Sequence, residues 1–172
     1  VRPAKPLPQT VDVVALEQQL EAAASIEARK GILKEIARIY DERVGDPQEA
    51  ATALLRSLEL EPDVETLDVL AALYRRQNAH SDVAATLQRK RDLLVGGLQA
   101  AGLQVAVPDG TYFVVADAAP LGAQDALAFC RELPARAGVV AVPVSVFHDD
   151  ADAARTLVRF AFCKRDEVLH EA

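Results

Sequence analysis

The chain has 172 residues, enough for one large or two small domains; a single domain of that size buries roughly 70% of its unfolded surface. Hydrophobic residues make up 51% and charged residues 26%, with a net charge of -7; this is the balance of a soluble globular protein and excludes extensive disorder. The acidity is spread over both halves without a long Lys/Arg run, so neither nucleic acid nor a membrane surface is an expected partner.

Apolar stretches are interrupted by charges before the roughly 18 consecutive residues of a membrane helix, and no signal-peptide core opens the chain. The expected compartment is cytoplasmic. Cys130 and Cys163 lack metal-type spacing and are too few for a disulfide framework, so both are expected as small core residues in a reducing environment. Met is absent, including at position 1, which predicts a processed, excised or artificially assembled segment.

Pro3, Pro6 and Pro8 predict an extended leader over residues 1–10. Asp12 is the expected cap of a first helix, with Val13, Leu16 and Leu20 on one stripe through about Ala24. Ser25 caps a second helix to about Arg43, whose apolar face carries Ile32, Leu33, Ile36, Ile39 and Tyr40. Gly45 ends it; Asp46 and Pro47 start a third helix, which Glu61 and Pro62 stop after Leu60.

Leu33, Ile36 and Tyr40 recur 34 residues on as Leu67, Leu70 and Tyr74, and Ala50 and Leu54 recur 33 on as Val83 and Leu87. A unit that repeats at this period buries its apolar face by stacking on its neighbours. Residues 11–90 resemble tetratricopeptide repeats, with Pro62 closing one unit, Val83 in place of the usual small residue and Asn78 in place of the turn Gly. The resemblance implies a protein or peptide partner for the helical half. Arg56, Arg75 and Arg76 suit either a clamp for a peptide carboxylate or, as exposed charge usually does, a solvated helix face.

A junction helix over about 83–101 carries Leu87, Leu94 and Leu98 on one stripe to Gly102, and its stripe is expected to be shared, Leu87 packing with Tyr74 and Leu70 and Leu94 with Leu98 against the sheet. Leu103–Val107 and Thr111–Ala116, joined by Pro108-Asp109-Gly110, predict a hairpin. A helix follows from Ala123 to about Leu133, kinked or closed by Pro134. Val139–Val142 is a strand ended by Pro143, Thr156–Phe162 another strand, and Asp166–Ala172 the start of a last helix. The fold class is α+β, with helical-repeat hairpins joined through the shared helix to a small mixed or antiparallel sheet covered by helices.

Arg159 interrupts Leu157-Val158-Arg159-Phe160-Ala161-Phe162, which is otherwise apolar on both faces. An unpaired buried charge costs several kcal/mol, so Arg159 either reaches solvent at a sheet margin or faces an anion. A planar fork of donors suits a substrate carboxylate or a structural Asp such as Asp117.

Arg91-Asp92-Leu93-Leu94, Gly110-Thr111-Tyr112-Phe113 with Ala116-Asp117, Phe129-Cys130, Val142 to Phe147 and Leu157 to Lys164 occur in order over residues 91–172. Together they resemble the C-terminal small domain of class I/II pyridoxal-phosphate aminotransferases, in particular the branch of the kynurenine, methionine and succinyldiaminopimelate aminotransferases. The resemblance implies that Arg159 binds a substrate α-carboxylate and that the Pro143–Phe147 loop lies near the same side. The family's Schiff-base Lys in a Ser-x-Ser-Lys context has no counterpart here, and Lys164 matches the end strand instead. No catalytic residue, cofactor-binding residue or bound pyridoxal phosphate is therefore expected for the chain alone.

His148, Asp149, Asp150 and Asp152 crowd one segment without calcium or zinc spacing, so no metal is expected. Ser145, His148 and Asp149 are too local for a nucleophilic triad, and Gly96, Gly97 and Gly102 do not lie between a strand and a helix as a dinucleotide loop requires. The primary expectation is a non-catalytic chimeric or scaffold module. Two alternatives are an aminotransferase fragment contributing Arg159, whose role would be vestigial without a cofactor domain, and a peptide-binding adaptor.

Overall fold

The computed structural model describes residues 8–162, and the chain divides into two compact units that meet in sequence at Val83 and Ala84. The division falls within one helix. The first unit holds α1 (Pro8–Ala22), α2 (Ile26–Ile39), a wide π-helical turn (Tyr40–Val44), α3 (Pro47–Leu60), α4 (Val64–Arg76) and the start of α5 (His80–Ala100).

Helix α1 starts at Pro8, so positions 8–10 are helical rather than part of an extended leader, while 1–7 lie outside the described residues. Proline is at home in a first helical turn, where its missing donor has no partner to lose. Asp12 consequently lies inside the helix rather than capping it, and accepts from Arg43 at 3.3 Å.

Ser25 caps α2 by accepting from the Ala28 amide at 3.1 Å. Asp46 caps α3 by accepting from Gln48 and Glu49, with Pro47 in the first turn. Gly45, at φ 72°, supplies the left-handed residue between them. Helix α4 has a cap the sequence reading passed over: Asp63 accepts from the Thr66 amide and from Thr66 Oγ1, both at 2.8 Å.

Leu33, Ile36, Leu54, Leu67 and Leu70 are all buried in the first unit, each contributing about 1.5–3 kcal/mol. Tyr40 and Tyr74 are both half-buried, but Val83 and Leu87 are half-buried where Ala50 and Leu54 are buried. Asn78 takes the left-handed conformation, at φ 56°, that a turn Gly would supply; Asn tolerates it better than most side chains.

The second unit contains the remainder of α5, β1 (Gln104–Ala106), β2 (Phe113–Asp117), α6 (Ala126–Ala137), β3 (Val142–Pro143) and β4 (Leu157–Ala161). The sheet order is β1-β2-β4-β3 and every pairing is antiparallel. The expected hairpin is β1 with β2. Its helical cover comes from α5 and α6: Val95 and Leu98 join Val114, Ala116, Val158, Phe160, Ala126 and Cys130 in one core, and Leu94 packs on that cluster.

Pro134 does not close its helix, and Pro143 is the last residue of its strand rather than the first beyond it. Pro134 lies inside α6, which runs on to a left-handed Gly138 at φ 65° whose amide donates to the Pro134 carbonyl. One missing donor near a helix end is offset by this termination. Pro143 belongs to β3 and opposite it stands Val158. Because β3 is an edge strand, its missing N–H costs the ladder nothing on the open side. Val139 and Val140 stay outside the strand and exposed. The helix expected over 166–172 falls outside the described residues. Among the described residues no helix is long and apolar enough to cross a membrane.

Candidate functional site

Alternation along β4 decides which face Arg159 occupies. Val158 and Phe160 are 0% and 5% exposed and point into the core, so the intervening Arg159 stands on the opposite face, half-buried. It is not at a sheet margin. Strand β4 lies between β2 and β3, and the residues across from Arg159 are Val115 on one side and Val142 on the other.

Two aromatic rings flank the guanidinium. Its carbon lies 4.7 Å from the Phe113 ring centroid and 4.6 Å from that of Phe147. The Phe113 ring also meets Tyr112 edge-on at 5.5 Å. Cation–π contacts of this kind contribute about 0.5–1 kcal/mol each where water still reaches the cation.

The local chain path explains the arrangement. The turn before β2 ends in Thr111 at φ 71°, an unusual conformation for a β-branched residue. Thr111 Oγ1 accepts from the Phe113 amide at 3.3 Å, and the Tyr112 carbonyl accepts from Phe162 at 3.1 Å, fixing the approach to β2. Arg91 secures the same turn from α5 by donating to the Pro108 carbonyl at 3.1 Å. After β3, a 3-10 turn over Val144–Phe147 carries Phe147 to Arg159. Sequence reasoning singled out Arg159 and, by resemblance, set the Pro143–Phe147 loop near it, but it did not pick out the two rings, since their convergence depends on strand register rather than on spacing along the chain.

No carboxylate among the described residues pairs with Arg159. Asp117, the internal partner considered from sequence, instead accepts from the Ala119 amide at 2.9 Å and stands across from Leu157. The Arg56 and Arg76 of the suggested peptide clamp are engaged within the first unit, Arg56 with Glu17 through two hydrogen bonds and Arg76 with Asp41. Arg75 is exposed. Asp150 accepts from the Asp152 amide, and among the described residues no three metal-ligating side chains gather.

Pyridoxal phosphate needs an accessible amine for its carbonyl. Among the described residues of the second unit the one lysine is Lys90, which is 3% exposed in α5 and engaged in contacts of its own. These residues do not fit the cofactor. What they present is a flanked guanidinium with donors for a planar anion.

Residues 64–172 match the family model described as aminotransferase class I and II. Among curated proteins, the chain is 45% identical over 95 residues to the probable N-succinyldiaminopimelate aminotransferase DapC of Mycobacterium tuberculosis, covering 51% of this chain and 24% of that protein. It is 35% identical over 82 residues to the methionine aminotransferase of Escherichia coli, covering 48% and 21%. The chain thus spans about a quarter of the length of these relatives. A solved structure of N-succinyldiaminopimelate aminotransferase from Mycobacterium tuberculosis aligns with a TM-score of 0.47 and 37% identity, over 72% of this chain and 33% of that one. The family match takes in more than half of the chain, including α4 and all of α5, and the chain belongs to the aminotransferase class I and II family.

Proposed function

We propose that this member of the class I and II aminotransferases supplies the carboxylate-binding corner of a pyridoxal-phosphate-dependent transamination site, with Arg159 as the receptor. The reading rests on one observation: a half-buried guanidinium on an interior strand that no described carboxylate neutralises. Arg presents paired donors in a plane, and a carboxylate accepts two of them at once. Binding and orienting that carboxylate is the contribution assigned to this chain. Chemistry at the amino group is assigned to residues other than the described ones of the second unit, whose one lysine, Lys90, is buried.

The test follows the Arg159 side-chain Nε–H signal by NMR while N-acetylalanine or its amide is added. The carboxylate is expected to shift the signal and the amide to leave it in place, with the response absent from Arg159→Ala. An Arg159 signal indifferent to both, in a chain whose core resonances are intact, overturns the assignment.

A second reading concerns the first unit. A groove of about 280 Å³ is lined by residues of α2, α3 and α4 and of the turn after α2, among them Leu54, Leu73 and the exposed Val69. Its cations are already engaged, Lys34 with Glu65 and Arg38 with Glu35 and Glu42. An occupant would therefore be held by apolar contact, as by one face of an amphipathic helix. Val69→Glu would abolish the binding of such a peptide, and unchanged binding would exclude this groove.

A further inference from the structure

We propose that the groove of the helical unit receives a basic amphipathic helix of a partner protein, with an apolar stripe about two turns long flanked by lysine or arginine. The inference rests on the apolar-groove reading of that unit and deepens it to the chemistry of the partner.

Three ion pairs set the geometry of the groove. Lys30 pairs with Asp63, Lys34 with Glu65, and Asp41, in the turn that continues α2, with Arg76. The pairs climb both helices in the same order, so α2 and α4 lie side by side and run in the same direction. Ala37 and Leu73 of these helices, with Ala50 and Leu54 of α3, line the groove and are buried, while Val69 stands 51% exposed at its mouth. Along α2 and its turn the lining runs from Lys34 to Glu42, about 12 Å at the rise of a helix. A helix laid along that length offers about two turns, with apolar side chains at i, i+3 or i+4, and i+7.

Charge selects the partner. The lining carries three carboxylates, Asp41, Glu42 and Glu65, against two cations, Lys34 and Arg38. Both cations already face acids: Lys34 donates to Glu65, and Arg38 donates to both oxygens of Glu35 and to Glu42. An incoming carboxylate has to compete with these acids, whereas an incoming ammonium or guanidinium adds to carboxylates that accept more than one bond. The wider surface has the same sign. Between Pro8 and Val83 fifteen acidic residues stand against eight basic ones, a net charge of -7. A field of that sign draws in a basic partner and repels a second copy of this chain. The groove thus calls for the opposite charge from the peptide carboxylate considered for Arg56, Arg75 and Arg76.

The experiment uses the whole chain and three fluorescently labelled helical peptides of equal length, read by anisotropy at low salt and again at about 0.5 M. The first peptide carries a leucine stripe flanked by lysines, the second the same stripe flanked by glutamates, and the third the lysines with serine in place of every leucine. The first should bind more tightly than the second by about fivefold or more at low salt, as a few exposed ion pairs give, and the gap should narrow at high salt. It should bind more tightly than the third by about tenfold or more, the effect of burying the leucines. Val69→Ser should weaken both leucine peptides by a similar factor, about 3- to 10-fold. Joint replacement Glu42→Gln and Glu65→Gln, at two largely exposed side chains, should bring the lysine and glutamate peptides toward equal affinity, with circular dichroism showing that each variant keeps its helices. If neither leucine peptide binds, or Val69→Ser weakens neither, the groove reading fails and this inference falls with it. If both bind and respond to Val69→Ser but the glutamate peptide binds as tightly, or the double variant keeps the preference for lysine, the basic partner is overturned while the groove remains an apolar site. A lysine peptide without leucines that binds as well as the first would make the acidic surface at large the attractant and overturn the role of the groove.

Discussion

Replacing Asp63 should damage the helical unit more than loss of a helix cap alone. The carboxylate caps α4 through Thr66 and also lies 3.1 Å from the ammonium of Lys30, which is 6% exposed. The other acid near Lys30, Glu61, lies at 3.6 Å with a largely exposed side chain. Losing a cap costs about 1 kcal/mol, and stranding one member of a fully buried ion pair costs about 3–5 kcal/mol. Because Asp63 keeps 24% of its side-chain exposure and Glu61 can move closer, the ion-pair part falls below that range, to about 1.5–2.5 kcal/mol. Asp63→Ala is therefore expected to destabilise the unit by about 2.5–3.5 kcal/mol.

Lys30→Met removes the stranded charge, so the double variant should lose only about the cap, near 1 kcal/mol. Urea unfolding followed by far-ultraviolet circular dichroism and tyrosine fluorescence measures the cycle. A coupling below about 0.5 kcal/mol would refute the idea that Asp63 holds Lys30, since that is the size of an exposed pair. The pH dependence supplies an independent sign. Burial pushes the Asp63 carboxyl up, but its bonds from Thr66 and Lys30 outweigh this and leave it below the ordinary aspartate range. Its contribution is thus present above the unfolded pKa, about 4, and disappears as pH falls through the lower folded value. Burial lowers the Lys30 pKa, and Asp63 and Glu61 more than reverse it. That contribution is present below about pH 10 and is lost only as pH rises through the raised folded value.

Arg159→Leu should cost no more than about 1–2 kcal/mol in thermal or urea unfolding, since it removes two ring contacts but no ion pair among the described residues; a loss above about 4 kcal/mol would mean that Arg159 serves the fold first. Gly102→Ala should destabilise the second unit by about 1–2 kcal/mol, measured by urea unfolding, because the residue sits at φ 94° and its new Cβ would lie 3.0 Å from the Leu121 side chain. Burial pushes the Cys130 thiol up, so in a Cys163→Ser background alkylation at neutral pH should run at least about tenfold slower than in the denatured chain. Equal rates would place the thiol in water.

Local rules carried the parts of this fold whose causes lie within a few residues. Ser25, Asp46 and Gly45 could be assigned because each acts on a helix that begins or ends beside it. Where a proline sits within its element is less local, because its cost depends on what surrounds it. Pro143 is harmless only on the outer edge of a sheet whose order the sequence does not state. Nothing near Lys30 along the chain signals its burial, because its partner Asp63 lies beyond the whole of α3. The recurrence of Leu33-Ile36-Tyr40 as Leu67-Leu70-Tyr74 also carries less than its regularity suggests. Two helices that each bury positions i, i+3 and i+7 give it whether or not they descend from a repeat, and here the second member lies within the aminotransferase match.

Arg159 was the exception to this locality. It stood out because a guanidinium in an apolar strand has few inexpensive solutions, and two of the solutions considered are now removed: β4 is not a margin, and Asp117 is occupied elsewhere. What replaces them is neutral. Rings at Phe113 and Phe147 stabilise the cation without consuming its donors, whereas a carboxylate partner would have occupied the very edge an incoming anion needs. A cation held by aromatic faces is therefore tolerable to the fold and, on the proposed reading, keeps its donors for a ligand. The same logic explains why the strand pattern revealed the cation and concealed its supports: the charge breaks the apolar pattern of β4, but two phenylalanines in apolar stretches break nothing.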